Sequence, residues 1–249
     1  MHPLSTFRGF SATELLWIWE AGSAQHPLDR TLTILAAAEP GQSRQVLARL
    51  PIGRRDARLL AVHERAFGRR LAARAACPAC AEGVEMALDA RDLLASQPED
   101  DLSEPLLVAR DGYEVRCRPP DSYDLAAIVG ERDVLKARRR LLARCVVAAT
   151  RAGEATPPEE LPEAIVAAVA ERIAANNPLA VIELTLACPA CGHEWQMLFD
   201  IGAFLWSKIE AAARRLLHQV HTLARAYGWS EAEILALGPV RRQAYLELI

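Results

Sequence analysis

The sequence predicts an α+β protein, mostly helical, with a small β unit that is discontinuous along the chain. Two observations carry this prediction. Long stretches at both ends show helical periodicity bounded by capping residues and glycine stops. Cys-Pro-Ala-Cys also occurs twice, at Cys77–Cys80 and Cys188–Cys191, and each copy runs into a strand-like segment. The two copies match further along. Counted from the first cysteine of each, Met86 and Met197 stand nine residues on, and Asp89 and Asp200 twelve on. Apolar Leu88 or Phe199 precedes each aspartate.

Ser11 and Glu14 have capping-box spacing ahead of Leu15, Leu16, Trp17, Ile18 and Trp19, which predicts the first helix. Pro27 and Asp29 open a second apolar helical stretch, Thr31 to Ala38, which ends before Pro40 and Gly41. A third runs from Arg54 to Phe67, apolar at Leu59, Leu60, Val62, Ala66 and Phe67, and stops at Gly68. After Cys80, Val84, Met86 and Leu88 alternate with Glu85 and Ala87, a half-buried strand. Asp89 then caps a short helix from Ala90 to Ala95. The polar stretch 96–104, with Glu99, Asp100, Asp101 and Glu104, reads as an exposed acidic loop. Leu106 to Arg118 reads as a hairpin turning at Asp111–Gly112.

Asp121 to Thr150 reads as helical, through Leu125, Ile128, Val129, Leu135, Leu141, Leu142, Val146 and Val147. Pro162 starts another helix that ends at Asn176-Asn177-Pro178. Val181 to Ala187 and Trp195 to Phe199 are strands flanking the second cysteine pair. Asp200 caps a long helix from Ile201 to Tyr227, closed by Gly228. Ser230 and Glu233 form another capping box, and Val240 to Ile249 makes the last helix. The predicted division is therefore 1–70 as an N-terminal helical region and 71–118 plus 179–200 as a zinc-ribbon-like β unit. Residues 119–178 form a helical insertion, and 201–249 the C-terminal helices.

With 249 residues, 51% of them hydrophobic and 24% charged, the chain can bury a substantial core as one or two domains. A net charge of −3 argues against a dedicated nucleic-acid binder. Lys136 and Lys208 are the only lysines, so arginine carries nearly all the positive charge. Met1–Phe10 has no basic segment followed by an apolar run, and no stretch approaches the roughly eighteen apolar residues of a membrane span. The prediction is a cytoplasmic chain in a reducing compartment, where paired cysteines bind metal in preference to forming disulfides.

Four thiolates complete a tetrahedral zinc site, so Cys77, Cys80, Cys188 and Cys191 are the predicted ligands of one shared structural zinc. With all four positions filled by sulfur, no open coordination site remains for catalysis. Gly192 permits the tight backbone approach after the second pair; Ala81 stands at the matching place in the first, which predicts a distorted turn there. Thiol–disulfide exchange is the rival reading, but redox CxxC motifs open helices, and here a strand follows. A further alternative is that the pairs bind nothing, or bind an iron–sulfur cluster. His193 is a substitute ligand that four thiolates make unnecessary. Cys117 and Cys145 read as buried small apolar residues, with Cys117 the one spare ligand in reach.

Nine arginines lie between Arg44 and Arg74, against only Asp56 and Glu64. They read as a solvated face paired with acids such as the 96–104 loop; the sharper reading is a docking surface for an acidic partner or nucleic acid. His218 and His221 lack a carboxylate at metal spacing and read as surface residues. Trp17, Trp19, Trp195, Trp206 and Trp229 read as core anchors. GxSxG, P-loop, GxGxxG and HExxH motifs are absent from the sequence, which predicts a non-enzymatic protein.

A family resemblance emerges from longer segments. Cys188-Pro-Ala-Cys-Gly-His-Glu-Trp leads through Phe199-Asp-Ile and Phe204-Leu-Trp to Arg214-Arg-Leu-Leu-His-Gln-Val-His. Ala226-Tyr-Gly-Trp-Ser, Glu233-Ile-Leu-Ala-Leu and Arg241-Arg-Gln-Ala-Tyr-Leu-Glu-Leu-Ile follow. Together with Leu50-Pro-Ile-Gly-Arg-Arg-Asp and Tyr113-Glu-Val-Arg-Cys-Arg-Pro-Pro, this resembles the T-even-type phage baseplate proteins of contractile tails and phage-derived contractile injection systems. The likeness runs through most of 27–249. It implies a structural component or assembly factor that binds other baseplate, hub or tail proteins. The cysteine pairs are not general to such proteins, so the zinc expectation rests on spacing. The reading from another class is a zinc-ribbon nucleic-acid-binding regulator using the Arg44–Arg74 cluster.

Overall fold

The computed structural model describes residues 9–95 and 105–249; the acidic stretch expected at 96–104 lies outside the described residues. Helices α1 (Ala12–Ser23), α2 (Pro27–Ala38), α3 (Arg44–Ala48) and α4 (Ile52–Phe67) come first. Hairpin β1 (Arg70–Ala76)–β2 (Gly83–Asp89) and α5 (Ala90–Leu94) follow, then β3 (Leu106–Arg110), β4 (Tyr113–Cys117), α6 (Ser122–Ala126) and α7 (Val134–Cys145). Next come β5 (Val146–Arg151), β6 (Glu154–Ala155), α8 (Glu163–Ala175), β7 (Ile182–Ala187) and β8 (Glu194–Phe199). Helices α9 (Ile201–Tyr227), α10 (Glu231–Ala236) and α11 (Pro239–Leu246) end the chain. The fold is α+β, as the sequence predicts.

The helix ends follow the sequence chemistry. Ser11 accepts from the Glu14 amide while Glu14 accepts from the Ser11 amide, and Ser230 and Glu233 repeat the box at α10. Gly228 takes the left-handed conformation that closes α9. Asp111 and Gly112 both have positive φ, as the tight β3–β4 turn requires.

Two cores result. Ile18, Leu35, Leu59, Leu60, Leu205 and Ile209 join α1, α2, α4 and α9, and Leu71, Ala90 and Ile182 tie the cysteine hairpins to this core. Gly22 lets α1 approach α9, because a Cβ there would run into Trp206. The second core packs Ile165, Val169 and Ile173, one stripe of α8, against Val115, Cys117 and Ala149. Between the cores, Asp124 is fully buried and is held by Arg118 (2.6 Å) and Arg144 (3.0 Å).

Three expectations are corrected here. Val146 and Val147 do not continue a helix: Gly130, at φ 86°, lies between α6 and α7, and 146–151 pairs antiparallel with β4. The β-branched run fits a pleated sheet better than a helix end. The Leu106–Cys117 hairpin does not join the cysteine strands either. It pairs with β5 in a four-stranded sheet of order β3-β4-β5-β6, so the segment read as a helical insertion carries strands. Trp17 is also not a core anchor; it is 54% exposed, while its neighbours Leu16 and Ile18 are buried.

Candidate metal centre

The site is built from two hairpins with one plan. In the first, Leu71 faces Leu88 and Ala76 faces Gly83; in the second, Ile182 faces Phe199 and Ala187 faces Glu194. Each pair maps onto the other by the shift that carries Cys77 to Cys188. The duplication therefore begins several residues before the cysteines, in strands β1 and β7. Asp89 accepts from the Arg91 amide (2.9 Å) to start α5, and Asp200 accepts from the Ala203 amide (3.0 Å) to start α9. At the start of α4, the buried Gly53 amide donates to Asn177 Oδ1 (2.9 Å), fixing the chain just before β7.

The cysteine turns are also alike. The Ala81 amide donates to Cys77 O and the Gly192 amide to Cys188 O, at 2.8 and 2.9 Å. The Cys77 amide donates to Glu82 O and the Cys188 amide to His193 O, again at 2.8 and 2.9 Å. Gly192 has φ 72° and Ala81 φ 61°. The distortion expected at Ala81 does not occur; the alanine adopts the left-handed conformation of its glycine counterpart, at a steric cost.

The four sulfurs converge. Cys77 Sγ lies 3.7 Å from Cys191 Sγ, and Cys80 Sγ lies 3.6 Å from Cys188 Sγ. All four lie within 4.8 Å of one another. A regular tetrahedron with metal–sulfur bonds of about 2.3 Å has edges of about 3.8 Å, so the set is close enough to bind one metal ion. The first cysteine of each pair is buried and the second exposed, with Val84 and Trp195 packed against the buried pair. The Cys188 thiol falls to about 7, chiefly because the Cys191 amide, and then that of Ala190, hydrogen-bonds to it. Cys80 is pushed up to about 12: the Glu82 amide lowers it, but the Cys191 thiol, desolvation and the remaining thiols outweigh that. Such a set shares its charge unequally until a cation holds every sulfur as thiolate.

The other candidate residues lie elsewhere. Cys117 and Cys145 are buried in the second core. His193 stacks on Trp195 at 6.2 Å and is outside the cluster. Both cysteine turns join strands rather than opening helices, unlike a redox CxxC. His218 and His221 are exposed on α9. Trp229 stacks on Tyr227 (4.6 Å) and meets Tyr245 edge-on (4.8 Å) at the C-terminal corner. Among the described residues, Arg44–Asp29, Arg49–Asp121, Arg55–Asp56, Arg58–Glu39 and Arg69–Asp89 are ion pairs made by the clustered arginines. Their acids lie in helices (Asp29, Asp56), at helix caps (Glu39, Asp121) and at the end of β2 (Asp89).

Residues 21–206 match the family described as T4 bacteriophage base plate protein. The chain belongs to this family. The match begins in the last turn of α1, takes in α2 to α8 with both cysteine hairpins, and ends in the second turn of α9 at Trp206. The Ala226-Tyr-Gly-Trp-Ser pattern lies beyond it. No curated protein and no solved structure matches the chain. Among the described residues, no helix of this baseplate-family protein is long and apolar enough to cross a membrane.

Proposed function

We propose that the chain is a non-enzymatic structural component or assembly factor of a contractile phage-tail-like baseplate, acting by binding other tail proteins. Membership of the baseplate family carries this reading. The four converging thiols support a structural zinc held by Cys77, Cys80, Cys188 and Cys191, because all four donors are sulfur and their spacing suits zinc–sulfur bonds. A closed four-sulfur shell leaves the metal no position for substrate, which favours a binding role over catalysis. The internal pairing of the Arg44–Arg74 arginines weakens the nucleic-acid alternative.

Affinity capture of the tagged chain, with mass spectrometry of purified particles, tests the assembly role. Recovery of baseplate, hub or tail proteins is expected; their absence from both would overturn it. Metal analysis should find about one zinc per chain, with unfolding on chelation. A metal-free chain of unchanged stability would remove the zinc.

A further inference from the structure

The protein is acidic overall, yet one segment reverses its charge. Between Val129 and Cys145 stand Arg132, Lys136, Arg138, Arg139, Arg140 and Arg144, against Glu131 and Asp133 alone. That is six basic residues to two acidic, four net positive charges in a chain of −3. Arg144 is held by the buried Asp124, and Arg138 pairs with Glu163 at 2.6 Å. Lys136 reaches Asp133 at 4.0 Å. Arg132, Arg139 and Arg140 are exposed and make no ion pair among the described residues. On α7, Lys136, Arg139 and Arg140 recur at the three- and four-residue steps that align side chains along one side of a helix, and Arg132 stands just before its first turn.

Exposed apolar side chains accompany these cations. Val134 is 78% exposed and Leu135 69%. Leu141 and Leu142 are part-buried; Leu142 packs against the second core, while Leu135, two turns earlier on the same side of α7, is left uncovered. Three residues before Arg132, Val129 lines an open groove of about 630 Å³, with Leu28, Leu32, Ala48, Tyr123 and Ala126 on its walls. Arg49 stacks over Tyr123 at the same place, 4.7 Å from the ring.

We propose that the groove at Val129 and the exposed side of α7 form one docking surface for an acidic, apolar-anchored segment of another protein. The segment's apolar side chains would enter the groove and meet Leu135, and its carboxylates would face Arg132, Lys136, Arg139 and Arg140. Charge complementarity selects this occupant. A membrane-surface helix needs an apolar face along its whole length, and α7 shows Val134 and Leu135 at one end only. Single-stranded nucleic acid needs a series of aromatic platforms, and this surface offers one tyrosine, Tyr123, whose ring Arg49 already covers.

This proposal rests on the assembly role and names the surface that would serve it. The test places a photoreactive benzoyl-phenylalanine at Leu135, or at the remote exposed Leu248, in the full chain inside cells that build the particle. Leu135 should crosslink to a tail protein at a segment rich in Asp and Glu. Combining Arg132→Glu, Arg139→Glu and Arg140→Glu should cut that yield about tenfold or more, and changing the crosslinked carboxylates to lysine should restore it. Arg139→Glu alone, with an unchanged melting temperature, should cut it less, which covers misfolding of the triple variant. Crosslinks to nucleic acid, lipid or a second copy of the chain would overturn the surface, as would a yield that ignores charge reversal. Silence at Leu135 while tail proteins still co-purify would overturn the surface and leave the assembly role standing. Loss of tail proteins throughout would overturn both.

Discussion

Ala81 and Gly192 occupy the same place in duplicated turns, with φ of 61° and 72° and matching hydrogen bonds. Left-handed backbone costs a residue with a Cβ about 1–2 kcal/mol. Glycine avoids that cost but gives the unfolded chain more freedom, about 0.5–1 kcal/mol. Ala81→Gly should therefore stabilise the protein by about 0.5–1 kcal/mol. Gly192→Ala should destabilise it by a similar amount, and a Cβ at Gly192 meets nothing within 4 Å, so no clash enters the comparison. In a chain of this size that is about 2–4 °C of melting temperature per kcal/mol. Thermal melts of the metal-loaded protein would measure both variants and the double exchange, which should melt near the wild type. Destabilisation by Ala81→Gly, or indifference to Gly192→Ala, would refute the equivalence of the two turns.

Three further outcomes follow from buried groups. His63 lies between Phe67 and Phe204, its pKa lowered by burial and then by Lys208. The unfolded state thus takes up its proton first. Stability should fall as pH drops below about 6.5 and level off below the lowered folded value, and urea midpoints at pH 7.5 and 5.5 should differ less in His63→Leu. Asp124→Asn leaves the Arg118 and Arg144 guanidinium groups facing a neutral side chain; because both are part-exposed, the cost should be about 2 kcal/mol by urea unfolding, below that of a fully buried pair. Ile18→Ala should cost about 2–5 kcal/mol and its neighbour Trp17→Ala under about 0.5 kcal/mol, since only the isoleucine is buried.

The helices and their caps were legible because each end has its own local chemistry: Ser11 with Glu14, Asp200, Gly228. The cysteine set was legible because thiolate pairs at this spacing have few other uses. Strand β1 was not. Arg70-Leu-Ala-Ala-Arg-Ala-Ala has no β-branched residue, and what makes it a strand is seven-residue pairing with β2, which local propensity does not record. Val146 and Val147 misled for the opposite reason: they fit the apolar rhythm of the preceding helix, and only β4 beside them makes them a strand. The α7 surface is not legible in the sequence because its leucines and arginines resemble an ordinary amphipathic helix, and solvent exposure alone separates Leu135 from Leu142.

The cysteine cluster joins residues 108 and 114 positions apart in sequence. Closing a loop of about a hundred residues with a covalent link is worth about 4.7 kcal/mol in the chain-entropy account, and a metal shared by two hairpins closes this loop without needing an oxidising compartment. The loop contains the whole second core, with α7 and its arginines. The same turns lead through Asp89 and Asp200 into α5 and α9, so a metal there would fix the insertion and the first core against one another. The buried Asp124 network and the Gly53–Asn177 bond act at the other end of that joint. A docking surface with its groove walled by α2 and α3 on one side and α6 on the other depends on that fixed relation. Chelation should therefore weaken partner binding at the α7 surface even though no cysteine touches it, and an unchanged affinity after metal removal would separate the staple from the surface.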